Sequence, residues 1–190
     1  MHKLVAIVGM AGAGKSTATE IFIKAGYRKI RFGDVTMEEL GRRELPVNEE
    51  NESVIRETLR IELGMDAYAK LNEPKIREVI KNSSVVIDGL YSWQEYEYLK
   101  PIFPDMKLLA IYASPKTRYK RLATRAVRPL TEEEAISRDN AELDNLRKAE
   151  PIAMADFTIM NESGVEEFKG KVESVIRRLN DKDYMDRILH

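Results

Sequence analysis

Gly9-Met10-Ala11-Gly12-Ala13-Gly14-Lys15-Ser16 fits the spacing G-x-x-x-x-G-K-[ST]. The chemistry open to such a run is the capture of a phosphate chain. Glycines let successive backbone N–H groups curl around phosphate oxygens, and a helix that starts immediately afterwards adds partial positive charge. Lys15 then reaches the outer phosphates, and the Ser16 hydroxyl is placed to ligate Mg²⁺. The expected nucleotide contacts are Gly9, Ala11, Gly12, Ala13, Gly14, Lys15, Ser16 and Thr17, with ATP and Mg²⁺ as the cofactors.

Two acids stand where such chemistry needs them. Val85-Val86-Ile87-Asp88-Gly89 puts a carboxylate at the end of an apolar run, the position from which an acid holds Mg²⁺ directly or through water. The competing reading of Asp88 is an Asp that ends a strand and opens a turn. Gly33-Asp34 follows another apolar run, and Asp34 there can take the proton of an attacking hydroxyl, help order the metal, or cap a helix from Val35 onward.

Lys116, Arg118, Lys120, Arg121, Arg125 and Arg128 form a basic segment with no acid among them. Arg118, Arg121, Arg125 and Arg128 are spaced 3, 4 and 3 apart and would share one face of a helix. The expectation is that these arginines stabilise charge on a transferring phosphoryl group, since guanidinium forks match phosphate oxygens. The alternative is a solvated basic face bridged to acids, but those come only after Thr131.

The elements that must position these groups alternate along the chain. Leu4–Val8, Lys29–Phe32, Val85–Ile87, Leu108–Tyr112 and Phe157–Met160 are apolar runs of the kind buried in a parallel sheet, separated by helical patterns. Ser92-Trp93-Gln94-Glu95 and Thr131-Glu132-Glu133-Glu134 read as capping boxes, and Ser114-Pro115 as an N-cap with proline at the first helical position. Residues 35–82 form a long helical insertion in which Leu59, Leu63, Ala67 and Leu71 keep near-helical spacing and Pro74 breaks the run. Such an insertion is placed to act as a substrate-binding flap.

Composition narrows the classes. The 190 residues are 43% hydrophobic and 33% charged, with 31 Lys+Arg against 32 Asp+Glu, so any attraction for anions is local and a nucleic-acid partner is disfavoured. The absence of cysteine removes disulfides, thiolate metal sites and a cysteine nucleophile, and His2 and His190 lie at opposite ends. The apolar run Leu4–Val8 is too short for a signal or a membrane span, so a cytoplasmic location without membrane association is expected.

Taken together, the phosphate loop, Gly33-Asp34, Asp88-Gly89 and the arginine-rich helix make the chain resemble the nucleoside monophosphate kinase group of P-loop kinases. The likeness is nearest to an archaeal family of adenylate-kinase-related proteins, with dephospho-CoA kinase more distant, and it spans Leu4 to Leu179. Segments that carry it include Leu59–Gly64, Ala113–Arg118 and Ala155–Asn161. The resemblance implies a single α/β P-loop NTPase domain over 1–190, three layers deep, with a five-stranded parallel sheet in the order 2-3-1-4-5. Its core would comprise 1–34, 83–118 and 150–180, with a mobile acceptor-binding insertion at 35–82 and an arginine-bearing lid at 119–149. Arg121 and Arg125 correspond to lid arginines, and the loop Asn161–Gly164 would lie near the adenine. Two departures stand out: the family's acceptor-phosphate arginines are replaced here by Met37 and Ser92, so either Arg42, Arg56 or Arg60 grips the acceptor or the acceptor carries no phosphate at that point.

The expected function is transfer of the γ-phosphoryl of Mg·ATP to a nucleoside monophosphate or similar nucleotide-like small molecule, with Lys15, Asp34, Arg121 and Arg125 as the catalytic set. The alternatives are dephospho-CoA kinase and an ATP-binding or ATP-hydrolysing regulator without an acceptor. Tyr68, Tyr91, Trp93, Tyr96 and Tyr98 offer either a stacking surface for a base or ordinary packing. Oligomeric state is not legible in the sequence.

Overall fold

A computed structural model describes residues 2–126 and 128–181. The elements run β1 (Leu4–Val8), α1 (Lys15–Lys24), β2 (Arg28–Arg31), α2 (Asp34–Arg42), α3 (Glu49–Leu63), α4 (Ala67–Val79), β3 (Val85–Asp88), α5 (Trp93–Ile102), β4 (Lys107–Tyr112), α6 (Pro115–Thr124), α7 (Glu132–Asp144), α8 (Ala149–Ala153), β5 (Phe157–Met160) and α9 (Val165–Asn180). The charged stretch after Leu179 lies, from Lys182 on, outside the described residues.

The sheet is wholly parallel, in the order β2-β3-β1-β4-β5, as expected. Side chains of a strand alternate between its faces, and β1 shows what that does here. Leu4, Ala6 and Val8 enter one core with Ile30, Ile87, Leu108 and residues of the insertion. Val5 and Ile7 enter the other with Phe22 of α1 and Phe168, Val172 and Ile176 of α9. Helices thus cover both faces, which is why the strands read as unbroken apolar runs. A third, small cluster of Ala11, Leu122 and Ala135 joins the phosphate loop to α6 and α7.

Local signals account for most helix ends. The Ser92 and Thr131 capping boxes form with both reciprocal bonds, and Ser114 caps α6 with Pro115 in its first turn. The insertion departs from expectation in two ways. α4 continues through Pro74, losing one main-chain bond but held by buried Ala67, Tyr68, Ala69, Asn72 and Ile76. Gly64, at φ 96°, breaks the chain between α3 and α4, so Leu59 and Ala67 are buried while Leu63 and Leu71 are not.

Candidate functional site

The loop between β1 and α1 has the backbone that a phosphate cradle requires. Gly9, Gly12 and Gly14 all have positive φ, at 146°, 77° and 109°. A Cβ on Gly12 would stand 2.8 Å from the Arg118 carbonyl oxygen, so α6 presses directly on the loop. The loop also opens α1 with uncapped N–H groups, because Gly14 offers no side chain to cap them. This geometry fits a phosphate chain. Among the described residues no three acids or histidines gather to hold a metal, so a Mg²⁺ bound by Ser16 and Asp88 would take its other oxygens from nucleotide and water.

Lys15 is folded back, donating to the carbonyls of Gly9 at 2.8 Å and Met10 at 3.0 Å. Burial, together with the positive charge of Lys148, pulls its ammonium down to about 7, against the opposing pull of Glu142 and Asp88. Ser16 is exposed at the start of α1, and Asp88 ends β3 half-buried, in register with Ile7 of β1. Asp34 opens α2, but the cap position is Gly33 and the Asp34 side chain makes no capping bond. It lies instead 3.6 Å from Arg31.

Asn161 anchors the loop from the far side. Its amide donates to the Ala13 carbonyl at 2.8 Å, and Arg121 donates to the Asn161 carbonyl at 2.9 Å. Among the described residues Nη1 of Arg121 is buried with no partner, so a cation with an unused donor sits beside the cradle.

The basic segment differs most from its sequence reading. Of its four arginines only Arg118 and Arg121 lie within α6; Arg125 ends it in extended conformation and Arg128 follows at φ 52°. Two of the six charges are also compensated. Arg118, 4% exposed, forks onto Asp139 at 2.8 and 2.6 Å and donates to the carbonyls of Ala11 and Ala113. It is therefore a strut between α6, α7 and the loop rather than a phosphate ligand. Arg128 reaches Glu49 at 2.9 Å and Glu52 at 3.2 Å on α3. The acids that the sequence placed too far along the chain return in space.

A cavity of about 570 Å³ lies between the insertion and α7. Five guanidinium groups line it, from Arg31, Arg56, Arg60, Arg128 and Arg138, against the carboxylates of Glu49, Glu52 and Glu142. Met37 lines the wall, whereas Ser92 is fully buried and occupied in capping α5. Of the three arginines expected to replace their function, Arg56 and Arg60 face the cavity, and among the described residues Nε of Arg60 is without a partner. Arg42 is bound to Glu39 on the surface. Tyr68 and Tyr91 also line the cavity; Trp93 packs on Tyr96, and Tyr98 donates to Glu73.

A family model described as an AAA domain matches residues 5–147, from the first strand through α7. A UPF0200 protein of Thermococcus sibiricus is 36% identical over 184 residues, covering 94% of this chain and 96% of that one. The chain belongs to the UPF0200 family and carries an AAA domain. A second relative, the UPF0200 protein PF1294 of Pyrococcus furiosus, is also 36% identical, over 94% of this chain and 98% of its own.

Solved structures agree in fold. Shikimate kinase from Bacteroides thetaiotaomicron superposes with a TM-score of 0.60 at 16% identity, covering 94% of this chain and 99% of that one. A gluconokinase from Sinorhizobium meliloti gives 0.59 at 14%, covering 97% of each chain. Dephospho-CoA kinase from Campylobacter jejuni gives 0.55 at 18%, covering 94% and 97%. The fold is that of P-loop kinases. Among the described residues, no helix is long and apolar enough to cross a membrane.

The sequence reading missed three residues that the structure brings to the site. Arg138, Glu142 and Lys148 lie in and after α7, and their charges act on Lys15. Only their position shortly after the expected arginine segment pointed to them.

Proposed function

We propose that this chain is an ATP-dependent phosphotransferase of the cytosol that passes the γ-phosphoryl of Mg·ATP to a nucleotide-like small molecule carrying an anionic group. The observation that carries this reading is the cavity walled by the insertion on one side and α7 on the other, with guanidinium groups in excess of carboxylates and with Arg138 and Glu142 in its lining acting on Lys15 of the phosphate loop. A hydrolase without an acceptor has no use for such a chamber. Catalysis would rest on positioning and charge neutralisation, since phosphoryl transfer asks little covalent chemistry of the protein.

Within this reading Gly9, Ala11, Gly12, Ala13, Gly14, Lys15, Ser16 and Thr17 hold the phosphate chain. Ser16 and Asp88 hold Mg²⁺, and Arg121 and Arg125 face the transferred group. Asp34 stands at the same edge of the sheet as Asp88 and is the base for an attacking hydroxyl. Arg56 and Arg60 take the acceptor's anionic group in place of the arginines absent at positions 37 and 92, and the rings of Tyr68 and Tyr91 offer it apolar surface.

The acceptor is identified by incubating the protein with Mg·ATP and a panel of nucleoside monophosphates, deoxynucleoside monophosphates and dephospho-CoA, scored by ADP release. Release that depends on one acceptor class supports the reading. Equal release with and without every acceptor overturns it in favour of a hydrolase.

A further inference from the structure

Glu142 is a carboxylate placed among cations. It is 8% exposed, and it accepts from Arg138 Nε at 3.1 Å on one oxygen and from Lys148 Nζ at 2.7 Å on the other. Lys148 is 1% exposed, and its ammonium lies 5.5 Å from the centre of the Tyr91 ring. Glu142 also lines the acceptor cavity, and its charge reaches Lys15 of the phosphate loop.

A lysine so deeply buried needs an anion, because an unpaired charge out of water is costly. Carboxylate and phosphoryl oxygens make the same charge-assisted hydrogen bonds to such donors. Glu142 therefore meets, from within the chain, the demand that a phosphoryl group would meet from outside. Its backbone carbonyl also accepts from the Lys148 N–H at 3.3 Å, so the two residues travel as one unit.

We propose that Lys148 and Arg138 receive the phosphoryl group that is transferred, and that Glu142 occupies their donors until that group displaces its carboxylate. The assignment rests on the phosphotransferase reading above. Lys148 and Arg138 are then catalytic residues, and Glu142 is a positioning residue acting through them. The competing account is a buried staple between α7 and α8 with no part in chemistry.

The double variant Glu142→Gln/Lys148→Met separates the two, because removing the buried pair together leaves only Arg138, half-exposed to water, without its acid. On the best acceptor, kcat is expected to fall by about 10²-fold or more with a smaller change in ATP affinity, as for a group acting mainly in the transition state. A folded double variant with wild-type kcat overturns the proposal. Should that variant not fold, Arg138→Gln, at a half-exposed position, carries the same expected loss and the same overturning result.

Binding of inorganic pyrophosphate is measured alongside by calorimetry. Glu142→Gln is expected to bind it about tenfold more tightly, because its cations are no longer satisfied internally. Unchanged or weaker binding in that variant overturns the role given to Glu142. This arm needs no turnover, so it decides the point even if wild-type protein transfers nothing and the phosphotransferase reading itself fails.

Discussion

The side-chain amide of Asn161 donates to the main-chain carbonyl of Ala13 at 2.8 Å, linking residues 148 positions apart and fixing the phosphate loop to the end of β5. The resemblance placed Asn161 near the adenine; in the structure its side chain braces the cradle itself. Asn161→Ala leaves a buried carbonyl without its donor, which costs about 1–3 kcal/mol. Weaker ATP binding is expected with it, measured by calorimetry alongside urea unfolding. Wild-type values in both would remove the brace from the account.

Arg118 and Asp139 tie α6 to α7 through two parallel bonds at a buried position. Asp139→Asn or Arg118→Met alone strands a buried charge and is expected to destabilise the fold by about 3–5 kcal/mol. The double variant Arg118→Met/Asp139→Leu should recover most of that loss in urea unfolding. Single variants within about 1 kcal/mol of wild type, the range of an exposed pair, would show the contact to be incidental.

What could be read in advance divides along physical lines. The phosphate loop, the capping boxes at Ser92 and Thr131, and the apolar runs of β1 and β4 are local patterns, and they formed as read. The edge strand β2 has only Ile30 buried, and it is shifted one residue toward the N-terminus at both ends of the expected run, whereas β4 gains only Lys107 at its start. The ion pairs were not legible, because Arg128 meets Glu49 across 79 positions and Arg118 meets Asp139 across 21. A sequence window shows the charges of one segment and not the acids folded against it. Arg60 was a candidate only because Met37 and Ser92 could not serve, and its cavity-facing position rests on the helix phase of α3.

Arg121 combines a bond to the Asn161 carbonyl with a buried, unpartnered Nη1. Arg121→Ala should lower kcat by about 10²-fold or more while ATP affinity changes less, since such a group supplies charge where it develops. Steady-state rates and separate ATP titrations check this. A near-wild-type kcat would make Arg121 a second strut like Arg118.

Glu95 is fully buried at the start of α5, where one oxygen accepts from the N–H groups of Tyr91 and Ser92 and the other has no partner. Burial pushes its carboxyl up to about 7 from 4.5. Between those values the folded chain keeps a proton that the unfolded chain has lost, so this residue's contribution to stability falls as pH rises, by up to about 1.4 kcal/mol per pH unit. Relative to Glu95→Gln, which cannot titrate, the wild type should lose stability from pH 5 to about 7 and level off above that in urea unfolding. Parallel pH curves would contradict this.

Transfer of labelled γ-phosphoryl from Mg·ATP to the acceptor selected by the panel, compared between wild type and Lys15→Ala, tests the central claim most directly. Among the described residues Lys15 donates to two loop carbonyls alone, so its removal should leave the fold intact, as unfolding of the variant would verify. The account predicts labelled acceptor in step with ADP for wild type and none for the folded variant. Labelled acceptor formed equally by both, or inorganic phosphate as the sole labelled product of wild type, would contradict it.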